Sequence, residues 1–153
     1  MTEPIEDRSL TIVRVMDVPA RYIFKAMAAP DYVKKWFGPG DYPLTHCEMD
    51  FRVGGKFRFA MTGPDGKQSP FFGGTYREII DNMKIVYDNT MELPGGQSKI
   101  ITVTLTEIDG KTTVTLHTEF ATVAMKDREM AMGYEIGTGM GLDQLAALAK
   151  SLI

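Results

Sequence analysis

Two adjacent strands late in the chain constrain the fold more than any other feature of the sequence. The segments 99–107 (KIITVTLTE) and 111–120 (KTTVTLHTEF) are joined at Asp109-Gly110, a pair that is typical of tight hairpin turns. Alternation places threonines on one face and apolar residues on the other, namely Ile101, Val103, Leu105, Val114, Leu116 and Phe120. In a sheet of this kind, the apolar face is buried and the threonine face is exposed to solvent. Another element must therefore pack on the apolar face.

The C-terminal segment from Asp127 to Leu152 is predicted to provide that cover as one long helix. The residues that recur at steps of three and four, and so define one helix face, are Met130, Tyr134, Gly137, Gly141, Leu145, Leu148 and Leu152. Glycines also stand at 133 and 139, and each glycine in a helix costs about 1 kcal/mol relative to alanine. The glycines therefore indicate close backbone approach or open space beneath the helix.

The segment before the sheet is predicted to contain one strand and two short helices. The strand runs from Ser9 to about Asp17. Pro19 suits the first turn of a helix, because it has no N–H to lose there, and Pro30 ends that helix. Asp31 is expected to cap a second helix, DYVKKWF, which ends at Gly38-Pro39.

A run of strands follows the second helix. The stretch from Trp36 to Phe59 predicts a helix end that leads into a β-hairpin broken at Gly54-Gly55, and further strands are predicted over 71–80 and 85–87. The chain is thus expected to have a flexible tail over residues 1–8 and one domain over residues 9–153. That domain is an α+β helix-grip fold: a curved antiparallel sheet wraps around the long C-terminal helix, which closes a cavity against the two short helices.

Composition and charge restrict the class of protein. The chain has 153 residues, 44% of them hydrophobic, which is enough to build one buried core without disulfides. The formal net charge of -3, with scattered cations, argues against a nucleic-acid partner. The acidic start MTEPIEDRSL does not resemble a signal peptide, and no segment has the apolar length of a membrane span. We therefore expect a cytoplasmic protein.

No set of residues predicts catalysis or metal binding. His46 and Cys47 adjoin on a strand and point to opposite faces, which excludes a Cys-His nucleophile pair; Cys47 is expected to point inward. Asp50 and Arg52 stand two apart on a strand and are interpreted as a structural ion pair. His117 is expected on the threonine face, in solvent. Two separated histidines and one cysteine do not make a metal site, so we expect no metal and no cofactor.

Four motifs carry a resemblance to a known family. They are VPARYIFKAMAAPDYVKKWFGP (18–39), DFRVGGKFRF (50–59), GGTYREI (73–79) and GLDQLAAL (141–148). With these motifs the chain resembles the START-like (SRPBCC) superfamily and, within it, the family named after the activator of the 90-kDa heat-shock protein ATPase. The family commonly has Gly-Trp in the last helix, where this chain has Gly137-Thr138, and losing the indole is expected to enlarge or rehydrate the cavity.

Three functions stay open, and the first is favoured. It is binding of a small hydrophobic molecule, without catalysis or with weak catalysis, in a cavity whose predicted wall consists of Trp36, Phe59, Tyr76, Tyr87, Tyr134 and Met140. The second, implied by the resemblance, is a stress-related co-chaperone-like domain that acts on the chaperone ATPase. The third is an enzyme similar to polyketide cyclases of the superfamily, for which His46 and Asp50 are the candidate ionisable groups. The protein is expected to be a monomer or a homodimer.

Overall fold

The computed structural model describes residues 3–153, which form one seven-stranded antiparallel sheet and four α-helices. The strands are β1 (Ser9–Met16), β2 (Leu44–Met49), β3 (Lys56–Met61), β4 (Phe72–Ile80), β5 (Lys84–Met91), β6 (Lys99–Ile108) and β7 (Lys111–Glu119). The helices are α1 (Ala20–Ala28), α2 (Pro30–Trp36), α3 (Val123–Ala131) and α4 (Tyr134–Ser151). The strand order is β1-β7-β6-β5-β4-β3-β2, which confirms the predicted α+β helix-grip fold.

The central hairpin has the predicted turn and the predicted apolar face. Asp109 and Gly110 both have positive φ, the backbone conformation that a two-residue hairpin turn requires. In the β6–β7 register, Leu105 lies opposite Val114, and both are buried. Two of the threonines do not lie on the solvent-exposed face where the sequence predicted them. Thr112 and Thr118 lie on the apolar face and are fully buried, because their hydroxyl groups form hydrogen bonds there with Val18 and Tyr134.

The sheet is irregular where β4 meets β5. The register shifts between Tyr76 and Glu78, and a side chain at Gly74 would overlap the carbonyl oxygen of Asp88. A second irregularity occurs in β2, where the register shifts between Leu44 and His46. Bulges of this kind bend a strand and increase its twist, so they account for the predicted curvature of the sheet.

The C-terminal segment is two helices, where the sequence predicted one. α3 ends at Ala131, and α4 begins at Tyr134 after Gly133, whose φ of +91° is left-handed. A left-handed residue cannot continue a right-handed helix. The apolar periodicity of the sequence therefore continues across the break, although the helix itself does not. The long helix is therefore α4, of 18 residues.

The start of α2 also differs from the prediction. Pro30 is the first residue of the helix, and Ala29 takes the N-cap position with no side-chain hydrogen bond, so Asp31 is not the cap. Proline is favoured at this position because its missing N–H has no partner in the first turn. At the other end, the backbone N–H of Phe37 donates to the carbonyl oxygen of Val33, and the helix ends at Trp36.

The predicted tail over residues 1–8 lies only partly within the described part of the chain. Met1 and Thr2 are outside it. Residues 5–8 form a 3-10 turn, and the buried guanidinium of Arg8 donates to the carbonyl oxygen of Phe120 at 2.8 Å and to the carboxylate of Glu119 at 3.1 Å. Arg8 thus attaches the end of this segment to the end of β7, while residues 3–7 are exposed and the mobility of the tail stays a prediction.

The interior consists of two clusters on the concave side of the sheet. The aliphatic half lies on β1, β6 and β7 and is covered by α1 and α4; it includes Ile12, Ile23, Val103, Val114, Leu142 and Leu145. The aromatic half lies on β2 to β5 and is covered by α2; it includes Val33, Phe57, Phe59, Phe72, Tyr76 and Ile85. The two halves meet at α2, where Trp36 belongs to the first cluster and Val33 to the second.

Candidate functional site

A cavity of about 50 Å³ lies in the aromatic half, between α2 and the concave face of β2 to β5. The residues around it come from both short helices, the β2–β3 hairpin, β4 and β5; they are Met27, Val33, Trp36, Phe37, Met49, Phe51, Phe57, Phe59, Tyr76, Ile85, Tyr87 and Asn89. Every lining residue precedes α3, so the cavity does not lie under the long C-terminal helix. The sequence predicted a cavity closed by α4, whereas α4 contributes no residue to this one.

The alternation of the strands explains which side chains reach the cavity. Phe57 and Phe59 are two residues apart on β3 and lie on one face. Ile85, Tyr87 and Asn89 repeat the same step along β5. On β3 and β5, every second residue of the inner face therefore contributes to the cavity wall.

The position of α2 over the cavity is held by polar contacts from α1 and α4. The buried indole of Trp36 donates from Nε1 to the carbonyl oxygen of Ala26 at 2.8 Å. On the other side, Nε2 of Gln144 donates to the carbonyl oxygens of Trp36, at 2.6 Å, and Gly38, at 2.8 Å. These bonds satisfy carbonyl groups at the end of a short helix and fix where α2 ends.

The rings around the cavity contact one another at tilted and edge-to-face angles. Phe57 is the centre of this arrangement, with ring centroids 5.0 Å from Phe59, 5.4 Å from Tyr76 and 5.4 Å from Tyr87. Phe37 closes the side near α2, at 5.4 Å from Phe59. Aromatic pairs prefer such angles over face-to-face stacking, and the resulting arrangement is rigid.

The polar groups of the cavity are two phenols and one amide. Burial raises the pKa values of Tyr76 and Tyr87 well above the ordinary range for tyrosine, so both hydroxyl groups stay neutral. Among residues 3–153, Oδ1 of Asn89 is buried and has no hydrogen-bond partner. Most buried polar atoms in native proteins are paired, so this oxygen is available to a molecule in the cavity.

The size of the cavity limits what it can hold without rearrangement. A volume of about 50 Å³ admits only a few water molecules, since one water molecule needs roughly 10 to 15 Å³ of such space. Met27 and Met49 border the cavity and are half-buried. Methionine side chains are unbranched and adapt their conformation readily, so these two residues can yield space to a larger molecule.

The structure brings together four of the six residues predicted as the cavity wall. Trp36, Phe59, Tyr76 and Tyr87 line the cavity. Tyr134 and Met140 do not line it. The Tyr134 hydroxyl shares a hydrogen bond of 2.7 Å with Thr118, and its ring lies 4.4 Å from Nζ of Lys99. Met140 is 42% exposed, and its Cε lies beside Gly40 in the loop after α2.

Several lining residues were missed, and Asn89 is the most informative of them. Strand β5 was predicted over residues 85–87 and extends to Met91, so Asn89 fell outside the predicted element. Its signal is nevertheless present in the sequence, because Ile85, Tyr87 and Asn89 are separated by steps of two and share one face. A polar residue in such a series marks the polar point of an otherwise apolar surface.

The candidate ionisable groups of the β2–β3 hairpin lie outside the cavity. His46 Nε2 is 2.7 Å from Oε2 of Glu48, and the two side chains are partly exposed. Asp50 and Arg52 form the predicted ion pair at 2.7 Å, but they follow the end of β2 and stand in the turn, not on a strand. The pair is solvent-exposed, so it adds little to stability.

The other two residues with reactive side chains have structural positions. Cys47 packs against the aromatic cluster as predicted, and burial raises the pKa of its thiol to about 11. His117 lies on the threonine face of β7, where its Nδ1 is 2.9 Å from the hydroxyl of Thr11. No group of three or more His, Cys, Asp or Glu side chains within residues 3–153 is arranged to hold a metal ion.

No helix of the described chain has both the length and the apolar character that a membrane crossing requires.

Comparison with known proteins places this fold in a family. The sequence matches the model of the family described as "Activator of Hsp90 ATPase homolog 1-like protein" over residues 17–150. None of the curated proteins matches the chain. Three solved structures of similar fold come from Arthrobacter aurescens, Mycobacterium smegmatis and Staphylococcus epidermidis.

The three structures agree with the chain over nearly its whole length. The Arthrobacter protein is 24% identical with a TM-score of 0.87, over 97% of this chain and 90% of that one. The Mycobacterium protein is 24% identical with a TM-score of 0.84, over 99% and 97%. The Staphylococcus protein is 25% identical with a TM-score of 0.79, over 100% and 96%. Because the family model spans most of the sequence, the chain belongs to the Activator of Hsp90 ATPase homolog 1-like family, within the START-like superfamily.

Proposed function

We propose that this protein binds a small, largely apolar molecule in the cavity of the aromatic half. The observation that supports it most is the combination of a ring-lined cavity with an unpartnered buried amide oxygen on Asn89. An apolar wall with a few convergent polar groups is typical of small-molecule sites. The bound molecule contacts the rings of Trp36, Phe59, Tyr76 and Tyr87, while Met27 and Met49 adjust to its size.

Binding is expected to require movement of side chains, because the cavity of about 50 Å³ is well below the roughly 300 Å³ at which ordinary ligand pockets begin. The half-buried border residues are the ones that can move, since the centre of the wall is buried and packed ring to ring. The proposal therefore concerns a small ligand or a cavity that expands around a larger one.

The test compares two identical substitutions at different places. Met27→Trp fills the border of the cavity, whereas Met132→Trp adds the same ring at a position that is 79% exposed. Toluene is the probe, and its affinity is measured by NMR titration. We expect Met27→Trp to weaken toluene binding by at least about tenfold and Met132→Trp to leave it unchanged, because only the first ring occupies the space. Equal affinities in both variants would exclude this cavity as the site.

A natural ligand is sought by native mass spectrometry of the freshly purified protein. Excess mass that is present in the unchanged protein and absent from Met27→Trp would identify a molecule held in the cavity. The same spectrum gives the subunit count, which decides between the predicted monomer and homodimer.

A second candidate function follows from the family and from one exposed surface. The family description names an activator of the Hsp90 ATPase. The start of α4 and the turn before it expose apolar side chains, with Met132 79%, Ile136 73% and Met140 42% accessible to solvent. Exposed apolar residues that cluster on one side of a helix are typical of protein interaction surfaces.

Contact with a chaperone is tested by the rate of its ATPase at saturating concentrations of this protein. If the α4 surface is used, Ile136→Asp abolishes the change in rate and Met27→Trp does not. The reverse pattern would connect the effect to the cavity. An unchanged ATPase rate with the unchanged protein removes this function.

No observation favours the cyclase alternative, since His46 and Asp50 are not among the residues that line the cavity. Whether the protein has any catalytic activity stays a prediction that leans toward none. A cytoplasmic location stays a prediction as well.

A further inference from the structure

We propose that Asn89 selects ligands that carry a neutral hydrogen-bond donor, such as a hydroxyl group, at one end of an apolar body. This inference rests on the proposed binding function and names the chemical class of the ligand. It follows from three features of the molecule: the position of Asn89, the kind of atoms left without a partner, and the charges next to them.

Asn89 stands at the end of the inner-facing series of β5. It follows Ile85 and Tyr87 at steps of two, and all three line the cavity. The apolar wall is thus interrupted by an amide at one place. A ligand whose apolar part lies against Phe57 and Tyr87 has its end beside this amide, since neighbouring inner-facing residues of a strand are roughly 7 Å apart.

The buried atoms that lack a partner are acceptors. Within residues 3–153, the buried side-chain nitrogen and oxygen atoms without a hydrogen bond are Oδ1 of Asn89 and Oε2 of Glu129. An oxygen of this kind gains a bond only from a donor, and a buried acceptor left unpaired costs roughly 1 to 3 kcal/mol. The ligand group that complements Oδ1 of Asn89 in this orientation of the amide is therefore an O–H or N–H.

The charges beside Asn89 favour a neutral donor over an ammonium group. Asn89 lies directly opposite Lys99 in the β5–β6 register, so their side chains share the inner face. Nζ of Lys99 is 2.6 Å from Oε1 of Glu129, and both side chains are largely buried. The Lys99–Glu129 pair is neutral as a whole even though Oε2 of Glu129 has no hydrogen bond, so a cationic ligand would lose its hydration without meeting an excess of negative charge.

The remaining polar groups around the cavity are consistent with a neutral ligand. The Tyr76 and Tyr87 phenols stay protonated, because burial disfavours their anions. The carboxylate of Asp88, the neighbour of Asn89 in sequence, is paired with Arg77 at 2.8 Å on the opposite face of the strand. Cys47, whose thiol is near Tyr76, stays neutral as well at physiological pH.

The experiment compares phenol with toluene, two probes of nearly equal shape of which only phenol donates a hydrogen bond. Their dissociation constants are measured by NMR titration for the unchanged protein, Asn89→Leu and Asn89→Asp. Leucine has a similar shape and no acceptor, whereas aspartate keeps one. We expect Asn89→Leu to weaken the binding of phenol relative to that of toluene by roughly three- to tenfold, which is the usual net value of one hydrogen bond. Asn89→Asp is expected to restore the ratio of the two dissociation constants.

The outcomes separate this inference from the proposal on which it rests. If toluene binds but Asn89→Leu leaves the phenol-to-toluene ratio unchanged, Asn89 does not select a donor, while the cavity remains a binding site. If neither probe binds the unchanged protein, both proposals are overturned. Should Asn89→Leu fail to fold, as judged by its NMR spectrum, Asn89→Ala removes the same oxygen and the same ratio decides.

Discussion

The aliphatic half and the aromatic half of the interior share one sheet and differ in the kind of side chain that fills them. In the aliphatic half, Val114 and Leu145 are fully buried. In the aromatic half, Phe57, Phe59 and Tyr76 are also buried, yet a cavity of about 50 Å³ remains among them.

The difference lies in the shape of the side chains. Branched aliphatic side chains interdigitate and fill the space between a helix and a sheet at crystal-like density. Rings contact at steep angles, as Phe57 and Tyr87 do at 90°, and the cavity lies beside this pair. The two halves are alike in apolar content and burial, so the kind of apolar residue is what distinguishes them.

The largest expected effect is the loss of packing in the aliphatic half. Leu145→Ala should lower the free energy of unfolding by about 3 kcal/mol, because the surrounding side chains cannot collapse into the space that is left. Met49→Ala, in the aromatic half, should cost about 1 kcal/mol, since Met49 is half-buried and already borders empty space. Both values are measured by urea denaturation. A loss for Met49→Ala as large as for Leu145→Ala would mean that the two halves are equally well packed.

An intermediate effect is expected on the reactivity of Cys47, whose thiol reports how accessible the aromatic half is to water. Burial raises the pKa of the Cys47 thiol from 9.0 to about 11, so the reactive thiolate is scarce at pH 8. We expect modification by a disulfide reagent to be at least about tenfold slower in the folded protein than in urea. Since Cys47 is the only cysteine, the signal is unambiguous.

The same pKa shift sets the sign of a pH effect on stability. The folded state holds the Cys47 proton more tightly than the unfolded state, so this stabilisation is complete below pH 9 and is lost as the pH rises to about 11. Cys47→Ser should show a shallower decline of the urea midpoint over this range. In the modification experiment with the disulfide reagent, equal reaction rates of Cys47 in folded and unfolded protein would show that its thiol is fully exposed to water.

The smallest expected effect distinguishes two glycines of α4. A side chain at Gly141, which is buried, would have no atom within 4 Å, whereas one at Gly139 would lie 2.6 Å from Nη2 of Arg14. Gly141→Ala should therefore raise the free energy of unfolding by up to about 1 kcal/mol through helix propensity. Gly139→Ala should gain less, because it displaces a guanidinium that is paired with Asp143 at 3.1 Å.

Urea denaturation of the two alanine variants measures this difference. Equal gains would show that Arg14 moves away without cost. A destabilised Gly141→Ala variant would contradict the open space that the structure shows beneath α4 at this position.

The prediction of the fold rested on local signals, and these were sufficient. Alternation located the inner face of β6 and β7, and Asp109-Gly110 located their turn. The error at the C-terminus has a local cause as well. Gly133 carries the helix break, but glycine is also compatible with a helix at a modest cost, so the sequence did not separate the two conformations.

The prediction of the site depended on more than local signals and was less complete. The wall residues on strands, Phe59, Tyr76 and Tyr87, follow from alternation. Tyr134 was included because it lies on the predicted inner face of a long helix, and the structure directs its hydroxyl to Thr118 instead. Asn89 was missed because the predicted strand stopped two residues short of it.

The sequence by itself determined the order of the elements, the inner faces of the central strands and the family. Tertiary structure decided that the cavity lies under α2 and not under α4, and that Asn89 rather than Tyr134 is its free polar group. The physical reason is that periodicity is a property of consecutive residues. Empty volume and an unmet hydrogen bond depend instead on side chains from distant segments, and they exist only once those segments are packed together.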